Sequence, residues 1–487
     1  MKNKSIFFLA SAEAFFILMF CTKSSFLYPF NNWTDANCFF TVGKSLLDGK
    51  VLYRDIVEQK GLILYLIHSL ASLFSVRTFL GVFIMEVIAG AFSLYYLHKI
   101  IGLTCGNLSL VLAPACAALI YASSVFSHGG SAEEFCMPML LCCAYISLRA
   151  TDADVPLGNK NWFLIGILAS LVFWMKYSVC TFFPGLALVP LFLQIRRKKI
   201  RPILTAVLSG FAGLMTVTVP VLLYFLSNHA LKDMYEIYIY DNIFLYSGKI
   251  ASAGSSVLPT WMFSAYTGIL KNKFLICLLL IGIFWYASLH KWRRSLSVLL
   301  MFIFTAIPAF ALGKKYFYYY LIVEWFLVFG ISAMGEMLLL IFKSDGNIRA
   351  GKLFAAFSIS LCFSLVLADL CSPNRSFRNV RKEELPQIQF AGIINTIPHA
   401  TLLNYGFLDY GFYTAAGIVP NTRYFCKLNS SIAGMTQEMD SYLENKDVDF
   451  VVTRSRKLKS DNYQLVSTAE DTYEQKHFTY YLYQVIR

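Results

Sequence analysis

Long apolar runs alternate with short polar ones along most of the chain, and the runs approach the roughly 20 residues a bilayer requires. The first covers residues 6–26 and follows Lys2 and Lys4. It is too long for a signal-peptide core and lacks a small-residue cleavage site, so it reads as a retained span. Further runs are 78–97, 105–123, 135–148, 162–176, 180–195, 203–226, 274–290, 295–312, 317–342 and 353–371. The run 62–75 is shorter, and 257–270 is weaker and reads as interfacial.

Orientation is read from where Lys and Arg collect. They collect at 196–201, 290–294 and 343–352, which are read as cytoplasmic together with the N-terminus. The count through 196–201 closes only if 62–75 stays on one side of the bilayer. The expectation is therefore an all-α polytopic protein of about 11 spans plus a juxtamembrane helix. The outer face then receives 27–61, 123–134, 227–257, 313–316 and the tail from 372.

Composition supports a membrane body and changes the picture at its end. The chain of 487 residues is 57% hydrophobic and only 15% charged, against roughly 25% charged in soluble domains. That excludes a soluble enzyme, a disordered chain and a nucleic-acid-binding domain. Residues 373–487 hold 13 Lys+Arg and 12 Asp+Glu, leaving 29 basic and 17 acidic groups before them, so the net +13 sits almost wholly in 1–372. Two domains are expected: a catalytic membrane domain over 1–372, with its first external loop at 27–61, and a small extracytoplasmic α/β domain over 373–487. In the latter, 438–446 reads as helix, and 448–453 and 480–486 as strands. The basic excess suits anionic lipid or an anionic substrate. The cysteines lie mostly in apolar runs, where they act as small hydrophobes, and none has metal-ligand spacing.

The outer face gathers the chemistry. Carboxylates at Asp35, Asp55, Glu58, Glu133 and Glu134 fall there beside Lys60, Lys176, Lys314 and Lys315. Asp35 lies just past the first span, between aromatic residues, where a carboxylate can act as general base on a hydroxyl. Arg54 and Lys60 suit a phosphate, one as a fork and the other as a point charge. Tyr53, Asp55 and Glu58 complete that polar group. Glu133 and Glu134 follow Ser131, which also suits a helix N-terminus. Lys314, Lys315 and Tyr316 open a later span on the outer face, against the usual charge bias; an interfacial aromatic belt is the plainer reading of the tyrosines. Glu13, Glu86 and Glu324 lie inside apolar runs, where a carboxylate is a functional hypothesis by default. No P-loop, nucleophile elbow or HExxH motif occurs.

The order Asp35, Gly43, Gly49, Tyr53, Asp55, Lys60, Gly61 resembles the GT-C polytopic glycosyltransferases, and more closely their bacterial protein mannosyltransferase and aminoarabinose transferase branch. The chain departs from that pattern at Leu62, where the family usually has Pro. The likeness is carried mainly by residues 6–140. It implies a polyprenyl-phosphate-linked sugar donor, a hydroxyl acceptor in the cell envelope, inversion at the anomeric carbon, and Asp35 as base. It also implies phosphate contacts from Lys60, Arg54, Lys314, Lys315 and Tyr316, and a polar wall of Tyr53, Asp55, Glu58, Glu133 and Glu134. No cofactor or metal is called for, although some branches use a divalent ion. The rival expectation is a transporter or flippase of lipid-linked saccharides. It is disfavoured because no inverted repeat or matched pair of broken helices is visible.

Overall fold

The computed structural model describes residues 3–196, 200–246, 257–312, 316–343, 350–429, 432–473 and 475–487. The first six long helices are α1 (Asn3–Cys21), α2 (Thr34–Leu47), α3 (Leu62–Ser72), α4 (Leu80–Cys105), α5 (Ser109–Tyr121) and α6 (Ala132–Asp152). The chain forms two compact units: one of 1–22, 86–221 and 253–375, the other of 23–85, 222–252 and 376–487.

The first unit is helical. Among the described residues, seven stretches are long and apolar enough to cross a bilayer, and an eighth if a pair bent by 88° at Asn272 is one broken span. The stretch Leu80–Tyr121 alone is 42 residues long, which at 1.5 Å per residue suffices for two crossings. Small residues set the helix spacing, as expected where lipid gives helices no hydrophobic reason to associate. A side chain on Gly166 or Gly213 would collide with backbone of the facing helix, at Gly210 and Phe163 respectively.

Ion pairs sort the turns of this unit into two faces. Arg294 bonds Asp152 at 2.9 Å and Arg293 pairs with Asp154. Segment 152–154 is thus a neighbour of 290–294, which is read as cytoplasmic. The other basic loops, 197–199 and 344–349, lie outside the described residues. Two intramembrane carboxylates are structural: Glu13 meets His98 at 3.0 Å, and Glu86 accepts the Thr22 hydroxyl at 2.9 Å. Glu324 is buried next to a break at Trp325–Phe326 in its own span.

The second unit contains the mixed sheet. Strands β1 (Leu402–Tyr405), β2 (Phe450–Arg454), β3 (Tyr463–Tyr473) and β4 (Lys476–Val485) stand in the order β1-β2-β4-β3. β1 and β2 are parallel, with Leu403 opposite Val451; the other pairs are antiparallel, with a bulge at Leu465/Ser467. The helix read at 438–446 spans Met435–Glu444. β3 was not anticipated, because its burial pattern shows little of the clean alternation that marks a half-buried strand.

The segment 27–61, read as a loop, is helical in its middle. α2 buries most of its length and joins the sheet-bearing part of this unit. Thr41 donates to Asp409 at 2.7 Å, Asn32 to the Tyr410 hydroxyl at 3.1 Å, and Lys44 to the Tyr413 and Ile418 carbonyls at 3.1 and 3.2 Å. Cys38 and Cys426 face each other, buried, with sulfurs 3.9 Å apart. α3, at 11 residues, rises only about 16 Å and is too short to cross a bilayer. It lies against α2 instead: a side chain on Gly43 would stand 2.6 Å from the His68 Cβ, and Ser69 donates to the Gly43 carbonyl at 2.7 Å. Segment 227–257, also read as a loop, is helical through Tyr246.

Candidate active site

In the second unit the site is built on α2, α3 and the turn between them. Asp35 occupies the first turn of α2, half-buried, where the helix dipole favours a negative charge. Residues four apart share a helix face, so Asp35 and Phe39 point the same way. The Lys60 ammonium lies 5.4 Å from the Phe39 ring centroid. Asp35 and the ring beneath Lys60 thus lie on one face of α2.

The residues between them form the clasp that holds Lys60. Gly49 turns the chain in the left-handed region (φ 91°), open to glycine without strain. Asp55 accepts from the Val51 amide at 2.8 Å and closes the next turn. Tyr53 is fully buried, stacks on Phe225 and Tyr238, and donates to the Lys60 carbonyl at 2.5 Å. Its own φ of 67° is unusual for a bulky residue and marks a constrained turn. Glu58 is buried, accepting from the Lys60 amide at 3.0 Å and from the Tyr65 hydroxyl. Burial and the Glu58 charge push the Tyr53 hydroxyl above its ordinary value, so it acts as a donor.

Arg54 points elsewhere. Its guanidinium forks onto Asp55 at 2.8 and 2.9 Å and donates to the Asn228 carbonyl at 2.7 Å. That contact holds Asp55 below the usual carboxylate range. Little of this fork is left for a phosphate.

The first unit holds the second group. Ser131 caps α6, accepting from the Glu134 amide at 3.1 Å, and Glu134 accepts from the Gly130 amide at 2.8 Å. Glu133, 1% exposed, pairs with Lys176. The Lys176 ammonium stands 3.9 Å from the Tyr319 ring centroid and 5.8 Å from that of Tyr318. Tyr316 packs on both rings, at 5.5 and 5.7 Å. Three segments read as outer-face, around 133, 176 and 316, therefore converge. Lys176 was placed on that face by the span count but given no role, since nothing local in the sequence joins it to Glu133 43 residues away. Lys314 and Lys315 lie outside the described residues. Among the described residues, no group of three or more His, Cys, Asp or Glu is arranged to hold a metal ion.

Comparison with known proteins bears on the fold. Residues 62–224 match the family model described as dolichyl-phosphate-mannose-protein mannosyltransferase. No curated protein matches the chain. Two solved structures are similar over nearly the whole length. One is the crystal structure of ArnT from Cupriavidus metallidurans bound to undecaprenyl phosphate, with 12% identity over 98% of this chain and 97% of that one, and a TM-score of 0.56. The other is ArnT from the same organism in the apo state, with the same identity and coverage and a TM-score of 0.58. The fold is that of ArnT, with several helices apolar and long enough to cross a membrane. The family model covers about a third of the chain, and the likeness to the two structures extends over nearly all of it.

Proposed function

We propose that the chain transfers a sugar from a polyprenyl-phosphate carrier to a hydroxyl of a cell-envelope acceptor, on the outer face of the membrane. The carrier class is supported by the fold shared with ArnT, a protein solved with undecaprenyl phosphate bound. The observation that carries the reading is the common face of α2 at Asp35 and Phe39, with Lys60 over the latter.

In this reading Asp35 accepts the proton of the acceptor hydroxyl as its oxygen bonds to the anomeric carbon. The bond from that carbon to the phosphate oxygen breaks on the opposite side, so configuration inverts. The leaving polyprenyl phosphate is stable as an anion and needs no strong acid. It needs fixed positive charge where its own charge develops. Lys60 supplies that, with Lys314, Lys315 and the Tyr316 hydroxyl proposed as further contacts. Tyr53, Asp55 and Glu58 act through the backbone they hold, and Arg54 through Asp55. Glu133 and Glu134, in the first unit, are proposed as further polar groups of the reading.

The test is transfer from a panel of defined polyprenyl-phosphate sugars by the purified chain, followed by the anomeric configuration of the product. Inverted product supports the reading. No transfer from any donor, together with passage of lipid-linked sugar across liposomes, replaces it with a flippase.

A further inference from the structure

A concave site lined by no residue of α2 lies on the sheet-bearing part of the second unit. It is a cavity of about 1060 Å³ between the helix Met435–Glu444 and the loop that follows β2. That is at the upper end of the roughly 300–1,000 Å³ usual for small-molecule sites.

Its charge is one-sided. Lys427, Arg454, Arg456, Lys457 and Lys459 line it, against two carboxylates, Asp440 and Glu444. Residues 373–487 carry 13 basic and 12 acidic groups in all, so five of the thirteen cations face one hollow in a nearly neutral domain. Asp440 is already occupied by the Tyr405 hydroxyl at 2.5 Å. Among the described residues, none of the five cations forms an ion pair.

One cation is held by its side chain and three by the backbone that carries them. The Arg454 guanidinium lies between two rings, 4.7 Å from Phe478 and 5.2 Å from Phe407. Ser455 turns the chain at φ 62°, and its amide donates to the Thr479 carbonyl at 2.8 Å. The Thr453 hydroxyl donates to the Arg456 carbonyl at 2.7 Å, and the Leu458 amide to the Tyr483 hydroxyl at 3.0 Å. A loop pinned at three points fixes the backbone that carries Arg456, Lys457 and Lys459, which lowers the ordering cost of binding. Beneath them Met439, Leu443 and Phe478 give an apolar and aromatic floor.

We propose that this cavity binds an anionic saccharide, a short stretch of sugars bearing carboxylate or phosphate groups. The cations meet the acidic groups, the aromatic floor meets the apolar faces of the rings, and the volume fits more than one sugar. As the holding site for the acceptor it rests on the glycosyl-transfer reading; the binding itself does not. Its effect on transfer is on acceptor KM, with kcat retained.

The test uses the full chain in detergent, without donor. Fluorescently labelled tri-galacturonate and 6-phosphomaltotriose are titrated by anisotropy, with maltotriose as the neutral control. Saturable binding of either anionic probe is expected. It is expected to weaken at least tenfold in the triple variant Arg456→Gln, Lys457→Gln, Lys459→Gln, whose exposed side chains leave the melting temperature unchanged. Binding that the triple variant retains, or equal binding of maltotriose, overturns the proposal. So does displacement by phosphatidylglycerol micelles but not by free tri-galacturonate, which assigns the site to lipid headgroups. Failure of sugar transfer with every donor leaves these binding results standing, so the two readings fail separately.

Discussion

Lys176 pairs with Glu133, and the same ammonium stands 3.9 Å from the centre of the Tyr319 ring. Glu133 is 1% exposed and the Lys176 side chain 11%. Removing one member of a buried pair strands the other charge, at a cost of about 3–5 kcal/mol. Lys176→Met is therefore expected to lower the melting temperature in detergent by several degrees. The double variant Glu133→Gln, Lys176→Met is expected to recover most of that loss. Equal melting of the single variant and the parent would show that the pair carries no stability.

Gly43 predicts a packing defect. A methyl group there meets the His68 Cβ at 2.6 Å and the Ser69 amide nitrogen at 2.8 Å, so α2 and α3 must part. Overpacking of this kind costs about 1–3 kcal/mol. Gly43→Ala is expected to melt lower, with sugar transfer falling along with it, because α2 carries Asp35. Gly49→Ala meets no atom within 4 Å but must hold φ at 91°. It is expected to cost about 1 kcal/mol through backbone strain alone.

Lys44 gives a pH signature. Burial lowers its ammonium from the ordinary 10.5 to about 7. Between those values the unfolded chain binds a proton that the folded chain does not, so stability rises with pH. Below about 7 both states are protonated and this contribution is flat. Melting followed from pH 6.5 to 9 is expected to show a rise in the parent that Lys44→Met lacks. Parallel curves for the two proteins would mean that Lys44 stays charged in the fold.

Lys60 and Tyr53 are expected to separate by role. Lys60→Ala removes the cation and is expected to lower kcat by at least tenfold, with Lys60→Arg recovering part of it. Tyr53→Phe removes only the 2.5 Å bond to the Lys60 carbonyl, at about 1 kcal/mol of stability, with a smaller fall in rate. Steady-state kinetics on the three variants checks the order; a larger loss in Tyr53→Phe would reverse the assignment.

Much of this was legible in the chain because local rules produced it. The apolar runs announced the long apolar helices, and Ser131 announced the cap of α6. The order from Asp35 to Gly61 pointed to the fold shared with ArnT before any clasp was visible. What it did not announce is long-range. Nothing near Thr41 points to Asp409, 368 positions away, and nothing near Glu133 points to Lys176. α2 was hidden because its polar positions, Lys44 among them, are buried against residues of the tail hundreds of positions away, which nothing local signals. Arg54 looked like a phosphate clamp because its neighbour Asp55 could as well have faced elsewhere.

The central claim is that Asp35 removes the acceptor proton. The most direct test is single-turnover sugar transfer by Asp35→Asn beside the parent, with melting temperature as the control for folding. Loss of at least a thousandfold in rate, with donor binding and melting unchanged, is the predicted result. Transfer at a rate near that of the parent would contradict the account and move the base to another carboxylate, Glu133 or Glu134 first.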